Sequence, residues 1–233
     1  MTIRSIIIFL TIVCLVASCN FKSADDYVLE SNKHADKGKY KEAIALLDKA
    51  IEKDPRHRGA YLNRGLCHEK LKELTSAILD YKALLKIDLK NTAALYNIGT
   101  CKYDLNLFQE AVEYYNKALQ TKGYSVDSDT SGKPNITIVW NKNGIIEDAK
   151  FDIESNQLFY QRGLAYYQLN KFRSAYADFY NCLTQNYYVT DCHYMIALCY
   201  IESGNKAKGC IELDKAIALG DTLSLRKKQE VCK

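Results

Sequence analysis

The chain has 233 residues, with 32 lysines and arginines against 28 aspartates and glutamates, a formal net charge of +4; so near a balance leaves no electrostatic footprint for nucleic acid. A hydrophobic fraction of 48%, a charged fraction of 26% and only 2 Pro and 11 Gly exclude a disordered, collagenous or loop-built chain and predict one that folds mostly as helix. The unusual feature is 18 Tyr beside 1 Trp, more phenols than a core absorbs, which places some of them on a surface.

The first predicted element is a targeting segment. Residues 1–18 carry one positive charge, Arg4, then an apolar stretch from Ile6 to Ala17 and the small pair Ala17-Ser18 before Cys19. That stretch falls short of the about 20 residues that a helix needs to cross the bilayer core, so a cleaved signal fits better than a permanent span. Val16-Ala17-Ser18-Cys19 resembles the bacterial lipobox, in which the cysteine is acylated and becomes the new first residue. The resemblance implies lipidation at Cys19, a short tether over 19–23, and a protein of the bacterial cell envelope held on a membrane, facing the periplasm or the cell surface. An ordinary signal peptidase site that leaves Cys19 a free thiol is the alternative.

From residue 24 the sequence repeats itself. Ala43, Ala77 and Ala111 stand 34 residues apart, as do Ser31, Gly65 and Gly99 before them and Leu47, Tyr81 and Tyr115 after them. The register skips 30 residues and resumes with Gly163 and Ala197, Ala175 and Gly209, and Phe179 and Leu213. Five copies therefore start near Ala24, Arg58, Thr92, Asn156 and Thr190, three over 24–125 and two over 156–223. Each copy shows the helical period twice around a turn, as in Tyr27, Ser31 and His34, then Lys37-Gly38-Lys39, then Tyr40, Ala43, Leu47, Ala50 and Ile51. The small residues let the two helices approach closely and the large ones fill the flanking grooves.

The stretches GKYKEAIALLDKAIEKDP from Gly38 to Pro55 and LFQEAVEYYNKAL from Leu107 to Leu119 resemble the tetratricopeptide repeat (TPR). The resemblance implies an all-α, right-handed superhelix of about five TPR helix pairs, here with an insertion over 126–155 and a C-terminal capping helix over 224–233. It departs from the family pattern at the closing proline, kept only as Pro55, and in the last repeat, where His193 and Gly209 replace an aromatic and an alanine.

The insertion differs in composition. Ile136 to Trp140, then Asn141-Lys142-Asn143-Gly144 and Ile145-Ile146, read as a small β-hairpin with an Asn-Gly turn. Asp127 to Gly132 mimics the opening of a calcium loop, but Ile138 stands where the closing acid belongs, so a polar turn is the better reading. Such a hairpin needs cover, from the groove wall or from a partner. In the cap, Leu223, Leu225, Val231 and Cys232 are expected to supply apolar contact while Arg226, Lys227, Lys228 and Glu230 stay solvated.

No metalloprotease, paired CxxC, phosphate-loop or nucleophile-elbow motif occurs, and the 4 His are scattered, so no catalytic residue, metal site or cofactor is expected. Among the 9 Cys, Cys67, Cys101 and Cys199 share one repeat position beside the small site and Cys182 replaces a core alanine, all four being expected as small buried hydrophobes. Cys182, Cys192, Cys210 and Cys232 crowd the C-terminal end, where one disulfide of open pairing is expected.

In the TPR family the first helix of each pair lines the concave side. The resemblance thus places Asn32, Asn63, Tyr96, Asn97, Tyr103, Tyr160, Tyr167 and Tyr194 in a groove, with Trp140 of the hairpin packed against the tyrosine row. Family members that clamp C-terminal carboxylates use lysine and arginine there; Val28, Ala93 and Asn97 supply none. Two functions follow: a membrane-anchored scaffold that binds a protein or peptide partner, with no nucleic acid; or a ligand-capture lipoprotein that takes glycan or peptide in a tyrosine-rich groove.

Overall fold

The computed structural model describes residues 22–122 and 153–232. Eleven α-helices follow one another among these residues: α1 (Ala24–Ala35), α2 (Tyr40–Lys53), α3 (Arg58–Lys70), α4 (Leu74–Ile87), α5 (Thr92–Asp104), α6 (Phe108–Thr121), α7 (Ser155–Gln168), α8 (Phe172–Thr184), α9 (Val189–Glu202), α10 (Lys206–Ala218) and α11 (Thr222–Val231). The expected signal segment with Cys19, and the insertion up to residue 152 with its hairpin and Trp140, lie outside the described residues; those that are described hold no strand and lend the hairpin no support.

The helix starts are dictated locally. Ser23 and Asp26 form a reciprocal capping box at α1, each bonding the other's backbone N–H at 3.1 and 2.9 Å. Asn91 accepts from the Ala94 N–H at 2.9 Å and Asp221 from those of Leu223 and Ser224 at 3.1 and 2.9 Å. His57 caps α3 through Nδ1, which accepts from Ala60 N–H, while Nε2 lies 2.7 Å from Asp25 of the preceding repeat.

Every first helix ends in the same way. Gly38, Lys72, Asn106, Asn170 and Gly204 occupy equivalent positions and all have left-handed backbone, φ 57° to 81°. The next residue's N–H reaches back to a carbonyl five residues earlier, as from Lys39 to His34 and from Asn205 to Tyr200, 2.9 and 2.8 Å. That bond closes the helix and turns the chain into the second helix of the pair. Glycine takes this conformation freely and asparagine tolerates it, whereas Lys72 holds it at a cost of about 1 kcal/mol.

Each helix packs chiefly on the next, and α1 touches α3 as α5 touches α7, so the pairs stack with their first helices side by side. Inside each pair one contact recurs between residues 16 apart. The rings of Tyr81, Tyr115 and Phe179 lie on Gly65, Gly99 and Gly163 so closely that a Cβ on those glycines would sit 2.5, 2.7 and 3.0 Å from a ring carbon. Where the first-helix residue is Ser31 or Ala197, the partner shrinks to Leu47 or Leu213. All five large residues have no exposed surface. The stack stays continuous across the insertion, because α6 packs on α7 and one core cluster runs from Leu95 and Tyr115 to Phe179 and Ile196.

At the C-terminal end the cap differs from expectation. Asp221 sets the phase of α11 so that Ser224 is the buried residue, while Leu223 and Leu225 are about half exposed, 55% and 46%. Two links hold α11 on α10: the Lys228–Asp214 ion pair and the Cys210–Cys232 disulfide, Cα–Cα 6.0 Å, which settles the pairing left open by sequence. Cys67, Cys101, Cys182, Cys192 and Cys199 are buried free thiols, Cys192 joining the four expected in the core.

The ring-on-glycine contact is directly testable. Gly99→Ala gains about 1 kcal/mol in helix propensity and loses more to the overlap with Tyr115, so urea unfolding should show net destabilisation. Adding Tyr115→Leu reproduces the Ala197–Leu213 pairing, and the double variant should be about 1 kcal/mol more stable than the two single effects predict; simple additivity would refute the packing.

Candidate functional site

The residues expected to line a groove, Trp140 apart, lie on the first helices α1, α3, α5, α7 and α9, and their chemistry changes along the stack. At the N-terminal end Asn63 Nδ2 donates to Asn32 Oδ1 at 2.9 Å, joining the first two repeats. Beside this pair lies a cavity of about 230 Å³ lined by Asn32, Ala35, Tyr40, Asn63, Leu66 and Lys70 among others. Val28, at the expected clamp position, packs against the first core cluster and Ala93 is buried in the second, so neither offers a charge to a carboxylate.

From the third repeat onward phenols take over. Tyr96 is half-buried, 6.0 Å from the Tyr115 ring, and burial raises its phenol above the ordinary tyrosine range. Tyr160 packs edge-on to Phe179 at 5.8 Å and to Tyr187 at 6.1 Å, and reaches the Tyr188 ring at 5.2 Å; Tyr187 and Tyr188 meet at 4.5 Å. Burial first, then the neighbouring Tyr188, pushes the Tyr187 phenol up to about 12. Tyr160, Tyr187 and Tyr188 thus form one cluster of rings, with Tyr96 within electrostatic reach of Tyr187 and Tyr188.

Tyr103 and Tyr167 sit differently: each lies edge-on against the first residue of its own second helix, Phe108 at 5.2 Å and Phe172 at 5.6 Å. Asn97 and Tyr194 are half-buried, the latter in electrostatic reach of Tyr167. Trp140 lies outside the described residues. Tyr187 and Tyr188 were not among the expected groove residues, since they belong to the α8–α9 connection, where Tyr187 stands at the repeat position that Pro55 holds in the first copy. Tyr188 is 57% exposed and holds left-handed backbone, φ 43°, a conformation that costs a bulky residue about 1–3 kcal/mol and that accumulates at functional sites.

Two buried ion pairs brace the groove. Arg162 donates to both oxygens of Asp178 at 2.7 and 2.8 Å and to Asn116 of the preceding repeat at 2.6 Å. Arg64 does the same with Asp80 and with Asp48 of the preceding repeat, 2.6 Å each. The repeat register places the three partners at equivalent positions in both cases, a recurrence that sequence reading missed. Burial drives the Asp178 carboxyl upward against the opposing pull of Arg162, and the guanidinium hydrogen bonds hold both arginines charged.

Three of the four histidines are paired with acids, while His34 keeps a buried Nδ1 without a hydrogen-bond partner. His57, His68 and His193 face Asp25, Glu73 and Glu212 at 2.6–2.7 Å. Burial pushes the Cys67 thiol up to about 11 and that of Cys199 to about 12, which leaves little thiolate at neutral pH. Among the described residues no group of three His, Cys, Asp or Glu is placed to hold a metal ion, and no helix is long and apolar enough to cross a membrane. What the arrangement offers is a surface for binding.

Comparison with known proteins places this geometry. The tetratricopeptide repeat model matches residues 29–91 and again residues 92–122. The chain is 33% identical over 111 residues to mouse DnaJ homolog subfamily C member 7, which covers 46% of this chain and 22% of that protein; it spans less than a third of the curated relatives it matches. Among solved structures it resembles YrrB, described as a TPR protein with an unusual peptide-binding site, with TM-score 0.67 and 20% identity over 90% of this chain and 94% of that one. A tetratricopeptide repeat protein from Parabacteroides merdae matches with TM-score 0.69 and 20% identity, over 89% of this chain and 72% of that one. The matched fold extends over both sides of the insertion.

Asp178→Leu should leave the Arg162 guanidinium buried without its counter-charge and cost about 3–5 kcal/mol in chemical denaturation. The double variant with Arg162→Leu removes both charges and should recover most of that loss. If the double variant is as unstable as Asp178→Leu alone, the ion pair is not what makes the single substitution costly.

Proposed function

We propose that this chain, a tetratricopeptide-repeat protein by the match over 29–122 and by its stacked helix pairs, is a membrane-anchored scaffold of the bacterial cell envelope that holds an extended segment of a partner protein along its groove. Tetratricopeptide repeats imply a protein–protein interaction scaffold without catalytic machinery. The observation that carries the finer reading is the groove itself: paired amides at Asn32 and Asn63 give way to the ring patch of Tyr96, Tyr160, Tyr187 and Tyr188. Amides bond peptide groups and rings cover side chains, which suits a strand of peptide. The peptide-binding site named for YrrB supports the same reading. Glycan capture draws less support, because Tyr103 and Tyr167 turn their rings edge-on into Phe108 and Phe172 and present no row of parallel platforms.

The anchor rests on the Val16-Ala17-Ser18-Cys19 sequence, and an exported location fits the Cys210–Cys232 disulfide, a bond that persists in oxidising compartments. Trp140 and the rest of the insertion remain in this proposal as a candidate wall of the groove. Labelled palmitate should enter the protein, and Cys19→Ser should abolish the label; unchanged labelling refutes lipidation. A photocrosslinking residue at Asn97 in the groove should trap discrete protein adducts in intact cells, while the same residue at exposed Glu113 on α6 should not. Equal trapping at both positions refutes the groove as the docking site.

A further inference from the structure

Among the described helices α1 opens the stack, and it packs on α2 and α3 alone. Tyr27, Val28 and Ala35 turn inward onto the first core cluster, and Ser31 is buried. The face turned the other way carries Asp26, Leu29, Glu30, Lys33 and Lys37 at helical spacing. Together with Lys22, His34 and Lys39 these residues line an open cavity of about 590 Å³, so four of its eight lining residues are lysines. Its two acids are engaged within the chain. Glu30 pairs with Lys22 at 2.5 Å, and Asp26 closes the capping box with Ser23. Lys33, Lys37 and Lys39 are exposed and form no ion pair among the described residues. Leu29, 44% exposed, stands in the middle of this face.

The place of the face in the chain says what it meets. In the anchored reading above, the acyl chains sit on Cys19, and three peptide units separate that residue from Lys22, a reach of at most about 11 Å. The start of α1 therefore stays near the lipid headgroups. With 12 residues α1 is about 18 Å long, whereas the field of a charged surface is screened over about 8 Å at physiological salt. Standing upright, α1 would carry Lys33, Lys37 and Lys39 out of that field. Lying flat, it brings them to the phosphates and Leu29 to the headgroup boundary. Lysine is drawn to anionic lipid only within the screening distance, so this attraction selects the flat orientation.

We propose that the outer face of α1 docks on an anionic membrane surface, with Lys33, Lys37 and Lys39 against lipid phosphates and Lys22 beside the anchor. This deepens the anchored-scaffold reading and rests on it. The acyl chains hold the protein on the membrane, and the lysines fix how it stands there. Because α2 and α3 pack on the other side of α1, the later repeats then lead away from the lipid, where a partner has access to them.

The test is amine modification of the acylated protein, purified from membranes and added to preformed vesicles, with a membrane-impermeant acetylating reagent read by peptide mass spectrometry. Labelling of Lys33, Lys37 and Lys39 should fall at least 3-fold on vesicles that mix phosphatidylglycerol with phosphatidylcholine, relative to phosphatidylcholine alone, and should recover in high salt. Exposed Lys82 and Lys86 on α4 are the references and should not change. Intact mass reads acylation independently. Missing acyl chains overturn the anchor and the docking together. Acylated protein whose three lysines label on anionic vesicles as on neutral ones overturns the docking and leaves the anchor intact. Protection of the same lysines by inorganic phosphate without vesicles assigns the face to a soluble anion and overturns membrane docking.

Discussion

The structure depends on how closely the two helices of a pair approach, set in the second, third and fourth pairs by a ring seated on a glycine and matched in the first and fifth by a small residue and a leucine at the same positions. A residue on the first helix meets a residue 16 positions later on the second, and the two sizes add to nearly the same total: Gly65, Gly99 and Gly163 against Tyr81, Tyr115 and Phe179, Ser31 and Ala197 against Leu47 and Leu213. Interiors are packed at crystal density, so a constant gap must be filled by a constant volume. Because the sum is conserved while its parts vary, consecutive pairs keep the same shape and stack without a break. Such a stack has no long-range closure, and its stability is a sum over pairs and their interfaces.

Polar interactions then govern how one pair sits on the next. The Arg64 and Arg162 networks each join an acid of their own pair to a residue of the preceding one, and the Asn63–Asn32 bond does so on the concave side. Buried ion pairs contribute little net stability compared with apolar residues of the same volume, but they penalise any shift that separates the charges. Their placement in the second and fourth repeats resists a shift of the first pair on the second and of the third on the fourth.

The groove inherits its chemistry from what the packing leaves over. Rings needed to fill the pairs, Tyr81 and Tyr115, are sealed, and burial lifts their phenols far above the ordinary range. Tyr27, Tyr61, Tyr114, Tyr166 and Tyr200 carry the protein's own lysines or arginines over their faces. Tyr160, Tyr187 and Tyr188 instead pack on one another and leave ring surface open, Tyr188 being 57% exposed. Tyr188 holds a left-handed backbone to stand there, a local cost that the packing of the fourth and fifth repeats must offset.

Most of the architecture was legible in the sequence because a repeat writes each structural requirement five times. The 34-residue recurrence of small, alanine and large positions gave the helix pairs, the skip after residue 125 and the turn positions, and residues such as Cys67 and Cys199 were correctly read as core from register alone. On the first helices, Tyr96 and Tyr160 share one repeat position and Asn63 and Asn97 the next. Three things required the fold. The pairing of Cys210 with Cys232 depends on where α11 lies on α10, a distance absent from any spacing. The burial of Ser224 in place of Leu223 and Leu225 depends on the helix phase set by the Asp221 cap. The ring corner depends on bringing Tyr187 and Tyr188, from the connection between α8 and α9, against Tyr160 on α7. Periodicity constrains what recurs; contacts between non-equivalent segments occur once, and only the folded chain decides them.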